Sequence, residues 1–370
     1  MLEAIKRSPV ISGVVIFLIL ALNAAGWFLY FTWNAPLGPA LDASTATLTE
    51  TLEPPTLTPE PEASDTQSSA STEIPTATET PEPTQTFTPT VEPLCGGPPT
   101  MTILVSGVAS EGYLSGLADA IRVVRVDFQT PRVSVLTLPR DLWVDIPGIA
   151  DHGVTKGKLN QAYFYGTEVM GYFDGAGYGS GLLAHTLQSE FGLEVDHYIA
   201  VNLYAFRNIV DALGGVNVYL PEPVYTKWFG EPKLFKKAGR HHLTGAEAEK
   251  IVRARIDIGD YGRIQNQTIV LKALAAQMIT PSGVQRLPEI AKRLINYTMT
   301  DLSPSDISKL ICLAGKIDPQ EDVVYEPVPK SLTRSEWVED EYQGYMVYPL
   351  LFDEEEMRQL ISDFEAGVWP

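Results

Sequence analysis

Between Glu249 and Thr268 the chain reads EKIVRARIDIGDYGRIQNQT, which sets Arg253, Arg255 and Arg263 close together with Asp257, Asp260 and two glycines among them. Arginine serves where phosphate or carboxylate must be gripped by planar, two-pronged hydrogen bonding. Three guanidiniums beside the free N–H groups of a helix start suit an anion with more than one phosphate, such as a pyrophosphate. The same side chains could instead form a surface ladder among Arg253, Arg255, Asp257 and Asp260. A second group lies upstream. TLPRDLWVDIPG puts Arg140 and Asp141 just past the end of a strand, where open sheets build sites, and KGKLNQAYFYG adds Lys158 and Asn160.

The elements that must position these residues are legible as periodicity. MTILVSGV reads as a buried strand, and AIRVVRVDF and VSVLTL as two more joined by a tight turn at Thr130–Arg132. SGLLAHTLQSEFG and YAFRNIVDALGG have helical spacing and end in glycine, and they alternate with the strands DHYIAVNL and VNVYL. This order predicts an α/β fold with helices flanking a mixed sheet. LTGAEAEKIV predicts a helix with Thr244 as N-cap, Glu247 completing a capping box, and Ala248, Ile251 and Val252 facing inward. If that helix continues, Arg255 joins the buried side; if it ends near Val252, an extended chain aims Arg253 and Arg255 together. The next helix is expected after Asp260 and Gly262, with Arg263 in its first turn and Ile264, Leu271, Ala275 and Met278 as its apolar stripe. FDEEEMRQLISDFEAG predicts a last helix capped by Asp353.

The two ends of the 370-residue chain differ in composition. Residues 9–33 carry no charge, and as a helix they rise roughly 37 Å, enough to cross a bilayer. Lys6 and Arg7 precede them, so residues 1–8 are expected in the cytoplasm and all that follows outside. The length of the apolar run and the Trp and Tyr at its far end favour a membrane anchor over a cleaved leader. Residues 34–97 are rich in Thr, Pro, Ser and Glu and are expected to be a disordered stalk, roughly 180 Å if fully stretched. Residues 98–370 form the folded, extracytoplasmic part. Ten acids and no base lie between Asp42 and Glu92, so the stalk supplies about half of the formal net charge of −19. The folded part is also acidic, which argues against nucleic acid as a partner. Cys95 and Cys312 are the two cysteines, both on the oxidising side, and are expected to pair as a disulfide, with two buried thiols as the alternative.

The segments LPRDLWVDIPG, KLNQAYFYG, DHYIAVNLYAFRNIVDALGGV, AGRHHLTGAEA and VRARIDIGDYGRIQNQ occur in an order that resembles the LytR-CpsA-Psr family of cell-envelope proteins, over roughly Thr102 to Met278. The resemblance implies a three-layered αβα domain with a mixed central sheet. It implies a phosphotransferase that moves a glycopolymer from a polyprenyl-pyrophosphate carrier in an apolar pocket onto peptidoglycan. Arg140, Arg253, Arg255 and Arg263 match the pyrophosphate-binding arginines, and Lys158 and Gln267 match further head-group contacts. Asp141 and Asp260 would orient arginines or accept a proton; among several arginines a low pKa is expected of them, which favours orienting.

The family's magnesium is implied by an aspartate after the first strand and by an RSD motif, and manganese is a possible substitute. In this chain the corresponding stretches are SGVAS and LAD. Asp119 remains as a metal ligand, Ala109 stands where the other carboxylate is expected, and Leu117 or Ala118 stands where the arginine is expected. Glu111 is a displaced substitute. Two other classes stay open: a non-catalytic module binding polyprenyl phosphate or wall polymer, and a hydrolase cleaving the lipid pyrophosphate.

Overall fold

The computed structural model describes residues 30–41, 91–227, 231–256, 259–278 and 297–369, together with a few positions between 280 and 290. The expected tail at 1–8, most of the expected span at 9–33 and the spacer between 42 and 90 lie outside the described residues. Among the described residues no helix is long and apolar enough to cross a membrane.

Strands β1 (Thr100–Val108), β2 (Ala118–Asp127), β3 (Arg132–Leu138), β6 (His197–Asn202), β11 (Thr298–Thr300) and β12 (Val323–Pro327) form one sheet in the order β11-β6-β1-β2-β3-β12. β1 runs antiparallel to β2 and parallel to β6, β2 is antiparallel to β3, and β12 is parallel to β3, so the sheet is mixed. The β2–β3 hairpin closes with Asp127 opposite Arg132, so the turn spans residues 128–131, slightly before the expected Thr130–Arg132, and Arg132 already belongs to β3. Five short pairs decorate the sheet: β4 (Trp143–Asp145) with β5 (Lys156–Lys158), β7 (Val216–Leu220) with β10 (Gly239–Leu243), β8 (Val224–Thr226) with β9 (Lys233–Lys236), β13 (Thr333–Ser335) with β16 (Leu350–Phe352), and β14 (Val338–Asp340) with β15 (Tyr345–Val347).

Apolar residues occupy both faces of the sheet, because its strands read as nearly continuous apolar runs. Leu104, Ile121, Val123, Leu136 and Tyr198 pack with helices α1 (Leu159–Tyr165) and α2 (Tyr178–Phe191) on the first face. A separate core joins α3 (Leu203–Ala212), α4 (Gly245–Arg253) and α5 (Gly259–Met278) to β7 and β10 through Val210, Val216, Leu243, Ile251, Val270 and Leu274. On the second face Met101, Ile103, Val126 and Phe128 pack with Leu313 of α6 (Pro304–Ala314). The final helix, α7 (Glu354–Glu365), returns to the first face through Met357 and Phe364, with Asp353 as its N-cap. Helices α3 and α4 meet closely at Gly245, where a Cβ would sit 2.3 Å from the carbonyl oxygen of Arg207.

Cys95 and Cys312 form a disulfide whose Cα atoms are 5.9 Å apart, tying the helical turn Leu94–Gly96 to α6. Two parts of the segment expected as stalk pack on the domain instead. Leu37 N donates to Leu302 O, and Leu41 N to the Asp301 carboxylate, while Leu41 joins the first-face core. At the other end Leu94 N donates to Phe128 O. The reason is local: Pro36, Leu37 and Leu41 offer apolar surface that the Thr/Pro tract after Ala43 lacks.

Candidate functional site

Arg140 follows β3 and is 9% exposed. Its Nη1 donates to Asp119 Oδ1 at the start of β2, and its Nε lies 3.6 Å from Asp141 Oδ2 and 3.5 Å from Asp260 Oδ1 on α5. Burial opposes the charge of Arg140, but Asp119, Asp141 and Asp260 outweigh it and hold its pKa above the ordinary arginine value. Asp141 is braced from both sides. Lys158 Nζ lies 3.1 Å from Asp141 Oδ1, and Asp141 O accepts from Leu350 N of β16. Lys158 is placed by the β4–β5 pair, where it stands opposite Trp143. Asn160 Nδ2 reaches Asp119 Oδ1 at 3.5 Å, and Asn160 N donates to Arg140 O.

Helix α5 supplies the other wall, and its start differs from the expectation. The helix begins at Gly259, so Asp260 stands in its first turn and pairs with Arg263 one turn on. The glycine-containing sequence GDYG continues the helix because Asp260 adds favourable charge to its N-terminus. The buried stripe is Arg263, Ile264, Gln267, Val270 and Leu274; of the expected stripe Ile264 is buried, whereas Leu271, Ala275 and Met278 are only half-buried. The shift of face puts a cation and an amide inward at the site and leaves Leu271 and Met278 half-buried. Arg263 is 2% exposed.

Asp260 overturns the low pKa expected of it. Burial raises the pKa, Arg263, Arg140 and Arg255 pull it down, Asp141 pushes it up, and the net direction is upward. Its Oδ1 serves the arginines, while its Oδ2 is buried without a hydrogen-bond partner among the described residues. Arg140 Nε and Arg263 Nε are also buried without hydrogen-bond partners.

The two arginines of VRAR part company. Helix α4 has the expected capping box at Thr244 and Glu247, but it runs through Arg253 and turns extended only at Ala254. Arg253 is therefore carried to the outside, where it pairs with Glu249 at 2.8 Å, away from Arg140. Arg255 is exposed and acts electrostatically on both Asp260 and Arg263. Asp257 lies outside the described residues.

Arg122 belongs to this neighbourhood and was not among the expected site residues. It sits in β2 at 4% exposure, and its Nη2 donates to Gln267 Oε1 at 3.3 Å. Gln267 Nε2 in turn donates to Val252 O. The signal was present in AIRVVRVDF, where Arg122 shares the side of Val124 and Val126, an inward row in which a cation is out of place. Arg140, Arg263 and Lys158 are balanced by Asp119, Asp141 and Asp260. Among the described residues Arg122 and Arg255 then have no carboxylate counterpart in this group.

A family model for LytR_cpsA_psr matches residues 64–359. The chain belongs to the LytR_cpsA_psr family. Among curated relatives, Regulatory protein MsrR of Staphylococcus aureus (strain COL) is 30% identical over 210 residues, which are 56% of this chain and 58% of MsrR. A polyisoprenyl-teichoic acid–peptidoglycan teichoic acid transferase, TagU of Oceanobacillus iheyensis, is 30% identical over 213 residues, 57% of this chain and 62% of that protein. The chain thus spans about three-fifths of the length of these relatives. The crystal structure of B. subtilis TagV superposes with a TM-score of 0.57 at 22% identity, covering 73% of this chain and 98% of TagV. A structure of TagT bound to LIIa-WTA gives 0.54 at 20% identity, covering 73% and 91%. Both establish a shared fold, the α/β architecture around a mixed sheet.

The metal ligands that membership of the LytR_cpsA_psr family leads one to expect do not assemble here. Asp119 gives its Oδ1 to Arg140 and Asn160. Glu111, the displaced substitute, is exposed and bound to Arg207 Nη1 and Nη2 at 3.0 and 2.6 Å, which holds its pKa below the usual carboxylate value. Among the described residues no group of three or more His, Cys, Asp or Glu could hold a metal ion. Asp119 is the one residue of the expected set at this site, and a magnesium ion held there would take its remaining ligands from substrate phosphate oxygens.

Proposed function

We propose that this protein is a membrane-anchored phosphotransferase that moves a glycopolymer from a polyprenyl-pyrophosphate carrier to peptidoglycan. The observation that carries the proposal is the buried guanidinium Nε of Arg263, without a hydrogen-bond partner among the described residues, next to Arg140, whose Nε has only the longer ion pairs to Asp141 and Asp260. Buried N–H donors are rarely left unpaired, and a phosphate oxygen completes them. Family membership and the teichoic acid transferase named among the relatives support a wall glycopolymer as the group transferred. On the second face of the sheet Val105 and Ile199 continue the row of Arg122 across β1 and β6 and pack against the core around Ile103 and Leu313, which gives the head-group site an apolar flank. Residues 9–33 would hold the protein at the membrane where such a carrier resides, with the folded part outside the cell.

In this account Arg140, Arg263 and Arg255 neutralise the pyrophosphate, and Lys158 and Asn160 flank the entrance. Arg253 points elsewhere and is assigned no part. An acceptor sugar hydroxyl attacks the phosphorus that carries the glycan, a new phosphodiester forms, the P–O bond to the bridging oxygen breaks, and polyprenyl phosphate leaves. The hydroxyl proton passes to Asp260 Oδ2, which is free of other partners and belongs to a carboxylate made more basic by burial. Asp260 Oδ1 keeps Arg140 and Arg263 aligned during the step. The remaining work is positioning and charge neutralisation, which dominate phosphoryl transfer.

The test is to incubate the purified full-length protein with a synthetic polyprenyl-pyrophosphate glycan and peptidoglycan oligomers, with and without added magnesium or manganese. Ligated glycan–peptidoglycan product supports the proposal. Release of free glycan phosphate alone would make the protein a hydrolase, and binding with neither product would make it a carrier-binding module.

A further inference from the structure

Arg122 is a buried cation that the fold itself does not neutralise. Cross-strand pairing puts it between Val105 of β1 and Thr137 of β3, in the middle of the sheet. Among the described residues no carboxylate lies within ion-pair distance of it; its recorded hydrogen bond goes to the neutral Gln267, and its Nε has no hydrogen-bond partner. Burial lowers its pKa to about 10, and the neighbouring Arg263 adds repulsion, yet the group stays charged at neutral pH. Charges taken out of water are ordinarily paired, and an unpaired one destabilises the fold that holds it. An arginine that only buttressed Gln267 could be replaced by a neutral donor without that penalty.

The place of Arg122 says which anion would complete it. Gln267 stands one turn along α5 from Arg263, and Arg263 acts electrostatically on both Arg122 and Arg140. Arg263 on α5 is thus linked electrostatically to Arg140 in the loop after β3 and to Arg122 on β2. Arg122 is the member set within the sheet, directly opposite the apolar Val105. The sequence also lacks a cation at Leu117 and Ala118, where the family resemblance expects one. We propose that Arg122 binds the lipid-proximal phosphate of the carrier and supplies from within β2 the positive charge missing at the start of that strand. The inference rests on the pyrophosphate reading of the arginine cluster.

The test uses the full-length protein in detergent, with geranylgeranyl pyrophosphate and geranylgeranyl monophosphate as probes, titrated by calorimetry and followed by thermal denaturation. Arg122→Met is expected to melt at a higher temperature than the wild type when ligand-free, since it removes an uncompensated charge. It is also expected to bind the pyrophosphate probe roughly 10- to 100-fold more weakly, the worth of one charge-assisted hydrogen bond. Arg122→Lys, which keeps the charge but loses the fork, should fall between the two and decides the matter if the Met variant does not fold. Wild-type affinity in either variant, with Arg255→Ala still defective, overturns the role of Arg122 and leaves the site intact. No saturable binding by the wild type overturns the site and this inference together.

Discussion

Asp260 on α5 lies 3.5 Å from Arg140 Nε in the loop after β3, and the same carboxylate oxygen accepts from Arg263. One side chain thus joins two segments far apart in sequence into a single charge network. Its second oxygen remains buried and unpartnered. That division of labour makes Asp260 the most informative position for chemistry.

Asp260→Asn is expected to lower kcat roughly 10²- to 10⁴-fold, the usual worth of a general base, while carrier affinity changes only a few-fold. Because burial raises the pKa of Asp260, wild-type activity should climb with pH through a midpoint above the ordinary aspartate value. The Asn variant should lose that limb. A pH–rate profile of kcat/KM with the same acid limb in both proteins would remove Asp260 from the proton path.

Arg253 and Arg255 offer a paired comparison within one short segment. Arg253 is engaged with Glu249 on the surface, an interaction worth at most about 1 kcal/mol. Arg253→Ala should therefore leave carrier binding unchanged and barely move the melting temperature. Equal losses of binding in Arg253→Ala and Arg255→Ala would mean that α4 ends earlier than described and that both side chains reach the ligand.

The disulfide closes a loop of 217 residues between Cys95 and Cys312. Chain-entropy arguments, tempered by measured cases, put the loss on removal at about 2–5 kcal/mol. Denaturant titration of the Cys95→Ser, Cys312→Ser double variant should show a lower midpoint by that amount, and a reductant should produce the same shift in the wild type. An unchanged midpoint would show that the crosslink adds nothing to the contacts that already hold the segment before β1 on the domain.

His197 Nδ1 stands 3.5 Å from the buried carboxylate of Asp301, whose interaction with the imidazole raises its pKa against the opposing effect of burial. A raised folded-state pKa means that the stabilisation is fully present below the ordinary histidine value and is lost as pH rises through the folded one. Thermal melts across that window should fall in the wild type and flatten in His197→Gln. A wild-type curve as flat as the variant's would show that the pair carries no linkage.

Much of this architecture can be read from local signals. Thr244 with Glu247, Asp353, and the turn between Asp127 and Arg132 each act through their nearest neighbours, so sequence alone locates them. The misjudged features depend on distant ones. Helix α5 begins at Gly259, before the apolar period starts, because Asp260 is held by Arg140 from another segment. The raised pKa of Asp260 reflects burial, which a list of nearby arginines does not reveal. Leu37 and Leu41 pack on Leu302, Asp301 and the first-face core, partners that lie far along the chain. Arg122 was visible as a cation on an inward strand face, but its partner Gln267 becomes evident only once α5 crosses β2.

The most direct measurement of the central claim is calorimetric titration of geranylgeranyl pyrophosphate into the full-length wild type and its Arg255→Ala variant. Arg255 is exposed, so its removal spares the core. The expected result is saturable one-to-one binding by the wild type, weakened about tenfold or more in the variant, the loss of one charge-assisted contact. Absence of saturable binding, or equal affinity in the two proteins, would contradict it.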